Sequence, residues 1–135
     1  MKYLIDNCVI SEVIKPNPND KVLAWIDSQA DVDLYLSALT IGEIRKGIER
    51  ARPANPTAAA RYEAWLGTLV SHYGGRILPL DEPAAQAWGI LMSRVPNSGV
   101  EDAQIAAIAQ SRGMTVVTRN IADFKDFAIP LINPF

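Results

Sequence analysis

Three acidic residues lie at or near the ends of segments that are predicted to be β-strands, and a fourth, Asp102, opens a predicted helix. The four are Asp6, Glu43, Asp102 and Asp123. Asp6 directly follows the apolar segment 2–5, and Asp123 comes shortly after the apolar segment 114–118. Polar residues at the carboxyl ends of parallel strands meet at one edge of a sheet. We therefore expect the four carboxylates to lie close together.

Converging carboxylates repel one another and raise each other's pKa values unless a cation neutralises them. A hard divalent ion such as Mg²⁺ prefers oxygen ligands and keeps several waters that a substrate replaces. Zinc fits the sequence poorly, because zinc sites use several histidines or cysteines and the sequence has one of each, His72 and Cys8. Such a metal centre is well suited to phosphoester hydrolysis. The acids therefore indicate a metal-dependent hydrolase acting on phosphoesters.

The basic residues are distributed unevenly along a chain whose net charge is −2. Five of them fall within a short stretch: Arg45, Lys46, Arg50, Arg52 and Arg61. The negative net charge excludes general electrostatic attraction to nucleic acid, so any such binding must be local. Arg45 and Lys46, next to Glu43, are the best candidates for contacts with a phosphate backbone. The alternative is an ordinary solvated helix face.

Predicted strands and helices alternate along the chain, and the strands are continuously apolar. This pattern is typical of an α/β fold in which helices cover both faces of a parallel sheet. The 135 residues and 49% hydrophobic composition suit a single domain over 1–135. We expect no membrane span, because every apolar run is shorter than the ~18 residues that one requires. The lone Cys8 cannot form an internal disulfide, and a cytoplasmic protein is expected.

Local signals set the bounds of several elements. A first helix is predicted from Cys8 to Ile14, and a strand over 33–39. Thr40 is expected to cap the helix that follows it, Ile41–Arg50, which carries Glu43. A last strand is predicted over 129–132.

Several segments resemble PIN-domain proteins, particularly toxins of the VapC and FitB type. The matching segments are Leu4–Glu12, Leu36–Glu43, Glu101–Ala107, Thr118–Asn120 and Ile132–Phe135. They occur in the order and spacing of the family and cover the chain from end to end. The resemblance implies a compact α/β nuclease domain that cuts RNA with Mg²⁺ or Mn²⁺. It also implies a VapB-like antitoxin as partner and a homodimer.

The resemblance assigns roles to individual acids. Asp6, Glu43 and Asp102 match the three acids that the family uses as metal ligands, and we assign Asp6 and Asp102 to direct metal binding. The fourth catalytic position is either Asp123 or Asn120, whose amide hydrogen-bonds but supplies no charge. Glu12 is also typical of the family, and its other interpretation is a solvated or salt-bridged acid, for which Arg45 is one candidate partner.

One residue departs from the family pattern: Asn7 stands where Thr or Ser usually follows the first aspartate. Asn7 and Asn120 leave open an alternative, a catalytically inactive PIN-like module that binds RNA or protein. Three intact acids favour the enzyme. A protein resembling response regulators or phosphatases also places an acid after its first strand. Such a protein needs a further acid two residues after Asp6, where this sequence has Cys8, or a partner lysine late in the sheet, where it has only Lys125.

Overall fold

A five-stranded parallel sheet forms the centre of the protein in a computed structural model that describes residues 1–135. The strands are β1 (Tyr3–Ile5), β2 (Leu34–Ser37), β3 (Ile77–Leu78), β4 (Thr115–Val117) and β5 (Leu131–Ile132), in the order β3-β2-β1-β4-β5. The helices are α1 (Asn7–Ile10), α2 (Asp20–Ser28), α3 (Ala38–Ala51), α4 (Pro56–Tyr73), α5 (Glu82–Arg94), α6 (Val100–Ser111) and α7 (Ile121–Phe124). None of them combines the length and apolar character needed to cross a lipid bilayer.

Helices cover both faces of the sheet, as the continuously apolar strands predict. Successive strand residues point to opposite faces. Leu4 and Val116 belong to a hydrophobic cluster that contains the buried faces of α5 and α6. Ile5 and Val117 belong to a second cluster that contains residues of α1 to α4. The α/β prediction is therefore confirmed, with one core on each side of the sheet.

The two central strands carry the candidate site. β1 pairs with β4 so that Ile5 lies opposite Val117. The next residue after β1 is Asp6, and the next after β4 is Thr118. The Asp6 N–H donates to the Val117 carbonyl at 2.9 Å, which extends the ladder to the edge of the sheet. Asp6 and Thr118 are thus held by backbone hydrogen bonds as well as by their own side chains.

Three predicted element bounds are wrong. The first helix is not continuous, because the α-helix ends at Ile10 and a 3₁₀ turn follows over Ser11–Ile14. α3 begins at Ala38, inside the segment predicted as strand 33–39, because the Ser37 hydroxyl accepts a hydrogen bond from the Leu39 N–H at 3.0 Å. Ser37, rather than Thr40, is therefore the cap. β5 is also shorter than predicted, and Pro130, which has no N–H to donate, directly precedes it.

The two hydroxyls at the start of α3 should respond differently to removal. We expect Ser37→Ala to lower the free energy of unfolding by about 1 kcal/mol, because it removes a buried cap. Thr40 is the matched control: it is fully buried and its hydroxyl has no hydrogen-bond partner, so Thr40→Val should be neutral or stabilising. Urea denaturation of both variants measures this. A larger loss for Thr40→Val would restore Thr40 as the cap.

Candidate active site

Asp6 is the most firmly held of the predicted acids. It is 6% exposed and caps α1, because its Oδ1 accepts a hydrogen bond from the Asn7 N–H at 2.9 Å. Its Oδ2 accepts a hydrogen bond from the Thr118 hydroxyl at 2.8 Å, and the Cys8 thiol approaches the same oxygen at 3.6 Å. A carboxylate with four lone pairs has acceptor capacity left after these contacts. Asp6 is therefore fixed in place by the protein and still able to bind a ligand.

Glu43 lies beside Asp6 on the second turn of α3. Its pKa is raised from 4.5 to about 7, mainly by burial and also by the negative charges of Asp6, Glu101 and Asp102. A hydrogen bond with the Asn7 side chain opposes that rise in pKa. The Asn7 amide oxygen in turn accepts a hydrogen bond from Ser11 at 2.6 Å. Asn7 thus links Glu43 to the first helical segment.

Asp102 lies in the first turn of α6 and faces the same edge of the sheet. Its pKa is raised from 3.8 to about 6, mainly by burial and also by the charges of Asp6, Asp123 and Glu101. Asp123 itself is exposed on α7. The structure therefore brings together all four predicted acids and a fifth, Glu101. We call Asp6, Glu43, Glu101, Asp102 and Asp123 the acid cluster.

The acid cluster lacks a positive partner. Eight salt bridges occur in the protein, and none of them includes a member of this cluster. Burial and mutual repulsion are left uncompensated, which is why the pKa values of Glu43 and Asp102 are raised. This is the electrostatic setting that favours binding of an added cation.

The donor set fits a hard divalent ion. All of the available ligands are oxygens, as Mg²⁺ and Mn²⁺ prefer. No group of three or more His, Cys, Asp or Glu side chains is placed to hold a metal by itself. Mg²⁺ does not require such a cage, because it binds through one or two carboxylates and keeps several waters. Asp6 and Asp102 remain our prediction for the direct ligands.

Two of the supporting residues have other partners. Glu12 forms an ion pair with Lys15 at 2.8 Å and accepts a hydrogen bond from the Asn19 N–H at 3.1 Å. Glu12 is therefore a salt-bridged acid, but its partner is Lys15 and not the candidate Arg45. Arg45 instead contacts Glu49 at 3.1 Å and also Glu63, and the network continues to Arg52. Its charge is already balanced on an exposed helix face.

Lys46 differs from its neighbour Arg45. It is exposed and forms no salt bridge, and it lines a cavity of about 290 Å³ together with Glu43, Glu101 and Gln104. A cation beside the acid cluster is well placed to contact a phosphate that approaches those acids. Of the two residues predicted to bind substrate, Lys46 is thus the one whose charge is not engaged in an ion pair.

Asn120 contributes its backbone rather than its side chain to the observed contacts. Its N–H donates to the Thr118 hydroxyl at 3.0 Å, which in turn donates to Asp6. The Asn120 side chain does not cap α7. Asp123, in contrast, acts on the site through its charge, which contributes to the raised pKa of Asp102.

Sequence reasoning did not single out two contributors to this edge. Thr118 is fully buried at the end of β4 and holds Asp6. The rule that identified Asp6, a polar residue directly after an apolar strand, also applies to Thr118. Glu101 affects the pKa values of both Glu43 and Asp102. Nothing in the sequence distinguished it from an ordinary acidic residue in a first helical turn.

Comparison with known proteins identifies the family of this chain. A family model described as PIN domain matches residues 3–130. The chain is 35% identical to Toxin FitB of Neisseria gonorrhoeae, over 98% of this chain and 97% of the relative. It is 37% identical to VapC ribonuclease Y4jK of Sinorhizobium fredii, over 98% and 96% respectively. The crystal structure of FitAcB from Neisseria gonorrhoeae matches with a TM-score of 0.88 at 35% identity, over 98% of this chain and 97% of the other. The chain therefore belongs to the PIN-domain family.

Proposed function

We propose that this protein is a metal-dependent endoribonuclease, the toxin of a toxin–antitoxin pair, which hydrolyses RNA phosphodiester bonds at the acid cluster. The observation that carries the proposal is the set of five carboxylates at one sheet edge without a single ion pair. Full-length relatives named as a toxin and as a VapC ribonuclease support it.

Each part of the site has a defined task in this proposal. Asp6 and Asp102 would hold Mg²⁺ or Mn²⁺, and Glu43 and Asp123 complete the negative surroundings. A bound ion supplies Lewis-acid stabilisation of charge on the phosphate and favours ionisation of water. Thr118 and the Asn7 N–H fix the Asp6 carboxylate before any ligand arrives. This preorganisation reduces the rearrangement needed when substrate binds.

The proposal includes a VapB-like antitoxin as partner. The similar solved structures bear the names FitAcB and FitAB, and a neighbour of the same fold is a toxin–antitoxin complex from Klebsiella pneumoniae. A cavity of about 290 Å³ runs from Asn7 and Glu43 to the apolar side chains of Ile48, Tyr62 and Trp65. A partner that fills it would cover part of the acid cluster. A homodimer remains a prediction.

The function can be tested with end-labelled cellular RNA and a DNA pool of matched length. We expect the purified protein to cut RNA at discrete sites with Mg²⁺ or Mn²⁺, and to leave RNA intact in EDTA. Asp6→Asn provides the inactive control. RNA that is bound but never cut under any of these conditions would favour the inactive binding module instead.

Lys46 and Arg45 should separate in their effects on substrate binding. We expect Lys46→Ala to raise KM several-fold and to reduce the dependence of log KM on log salt by about 0.7, the value for one lost contact with single-stranded phosphate. Arg45→Ala is the matched control and should change both quantities little, because Arg45 is occupied by Glu49 and Glu63. Cleavage of one labelled oligonucleotide at several salt concentrations measures both. The reverse ranking of the two variants would contradict the assignment.

A further inference from the structure

Arg119 follows β4 at the edge of the sheet where the acid cluster lies. It directly follows Thr118, and its own N–H donates to the Cys8 Sγ at 3.4 Å. Thr118 and Cys8 both contact the Asp6 carboxylate. The main chain of Arg119 is therefore tied to the same group of side chains that fixes Asp6.

The Arg119 guanidinium rests on an aromatic ring and forms no ion pair, although its charge is among those that lower the pKa of Glu12. Its central carbon lies 4.5 Å from the centre of the Phe135 ring, which is the closest of the four cation–π contacts in the protein. Arg119 is exposed and takes part in none of the eight salt bridges. A ring face orients a cation without neutralising it. The charge of Arg119 is therefore available to an anion.

Phe135 is itself well anchored. Its N–H donates to the Asn133 side chain at 3.0 Å, and its partly buried ring packs against the cluster that contains Val117. Ile132 pairs with Val117 in the sheet, and its carbonyl accepts the Thr118 N–H at 2.9 Å. The segment after β5 is thus fastened to the strand that leads into the site. This makes Phe135 a rigid platform for a flexible arginine side chain.

Lys46 and Arg119 belong to different elements on two sides of the acid cluster. Lys46 approaches from α3 beside Glu43 and Glu101. The Arg119 main chain lies at the end of β4 next to the side chains that hold Asp6, and its guanidinium extends from there to the Phe135 ring. Consecutive phosphates of a strand bound between them would meet the acids with a cation on each side. Arginine suits such a contact, because its planar guanidinium makes bidentate hydrogen bonds to phosphate oxygens.

We propose that Arg119, held on the Phe135 ring, binds a phosphate of the RNA strand next to the cleaved bond, and that Phe135 is a positioning residue that acts through Arg119. This inference rests on the proposed ribonuclease function. It adds a second basic contact that the stretch from Arg45 to Arg61 does not contain.

The test compares steady-state cleavage of one oligonucleotide by five variants and the wild type. We expect Arg119→Ala to raise KM about 10-fold with little change in kcat, since it removes a charge-assisted phosphate contact. Phe135→Leu retains an apolar side chain but lacks a π face, and should raise KM about 3-fold. Phe135→Tyr keeps the ring face and should retain the wild-type KM. Lys2→Ala is the control, because it also removes a cation–π contact: the Lys2 Nζ lies 5.5 Å from the centre of the Tyr35 ring. Lys2 directly precedes β1, at the opposite edge of the sheet from the acid cluster.

The double variant Arg119→Ala with Phe135→Leu separates the positioning role from direct stacking of a base. If Phe135 acts through Arg119, the double variant should have the KM of Arg119→Ala alone. Additive effects, or an unchanged KM for Arg119→Ala in a folded protein, would overturn the inference while wild-type cleavage still supported the ribonuclease. A wild-type protein that neither cuts nor binds RNA would overturn both. Thermal melting of each variant shows which of them are folded.

Discussion

Asp6→Asn and Asp102→Asn should each lower the rate of RNA cleavage by about 10³-fold or more, without unfolding the protein. Removing one carboxylate weakens a cation site whose electrostatic stabilisation of the reaction is worth several kcal/mol. Single-turnover cleavage of one oligonucleotide at saturating protein measures the rate. Asp27→Asn, on the exposed side of α2, is the control and should retain full activity.

The choice of substituent matters at Asp6. Repulsion among the carboxylates predicts by itself that Asp6→Ala is neutral or stabilising, because it removes a repelling charge. The structure corrects this expectation, since Asp6 caps α1 and accepts the Thr118 hydroxyl. Alanine loses the cap and leaves a fully buried hydroxyl without its partner, at a cost of about 1–2 kcal/mol. Asparagine keeps an oxygen for the Asn7 N–H and an amide for Thr118, so it isolates the chemical effect.

The same assay decides which residue completes the site. Asp123→Asn should reduce the rate, because Asp123 acts electrostatically on Asp102. Asn120→Ala should have the smaller effect, since the observed Asn120 contact uses its backbone N–H. A larger loss for Asn120→Ala would assign the fourth position to the amide. Loss of activity together with a sharply lower melting temperature in both Asp6→Asn and Asp102→Asn would make those acids structural.

The second large effect concerns the pH dependence of stability in metal-free protein. The folded state raises the pKa of Glu43 from 4.5 to about 7 and that of Asp102 from 3.8 to about 6. Between about pH 4 and 7 the folded state therefore binds more protons than the unfolded state, so the free energy of unfolding falls as pH rises. After allowance for solvent screening, we expect a loss of about 2 kcal/mol between pH 5 and 8.

Glu43→Gln should remove much of this loss. The variant should be more stable than wild type at pH 8 and similar to it at pH 5, where the wild-type carboxyl is largely protonated. Glu82→Gln, at an exposed position of α5, serves as the control. Glu49 and Glu63 do not obscure the window, because their ion pairs with arginine lower their pKa values and matter only as pH falls below about 4.5. Equal stability of wild type and Glu43→Gln at pH 8 would contradict the predicted repulsion.

Mg²⁺ should reverse the same loss. A cation that binds the folded state stabilises it by mass action, most strongly where the carboxylates are ionised. We therefore expect a larger rise in melting temperature on adding Mg²⁺ at pH 8 than at pH 5. The rise should be much smaller in Asp102→Asn. An equal rise in wild type and Asp102→Asn would place the bound cation elsewhere.

The fold was predictable because apolar strands and capped helices alternate along the sequence. The errors came where a local signal was ambiguous. Ser37 and Thr40 are both good caps, and only the Ser37 contact with Leu39 decides between them. The first helix changes to a 3₁₀ turn at Ser11 before Pro16, which a helical pattern of apolar residues does not reveal.

The candidate site was predictable in part, for a related reason. Asp6 follows a strand, so topology alone places it at the sheet edge. The choice of partner in an ion pair depends on side-chain conformation, which the spacing of residues in the sequence does not determine. Glu12 therefore pairs with nearby Lys15 rather than with Arg45, and Arg45 turns to Glu63 on the neighbouring helix α4. The Arg119 contact with Phe135 is equally invisible in the sequence, since it depends on β5 returning beside β4.

The most direct test of the central claim is a parallel Mg²⁺ titration of cation binding and RNA cleavage in one protein preparation. Calorimetry on EDTA-stripped, dialysed protein measures binding, and single-turnover cleavage of one oligonucleotide measures the reaction. We predict that both curves share one midpoint, and that Asp102→Asn loses binding and cleavage together. Full-rate cleavage by the stripped protein, or Mg²⁺ binding that survives Asp102→Asn unchanged, would contradict a metal-dependent site at the acid cluster.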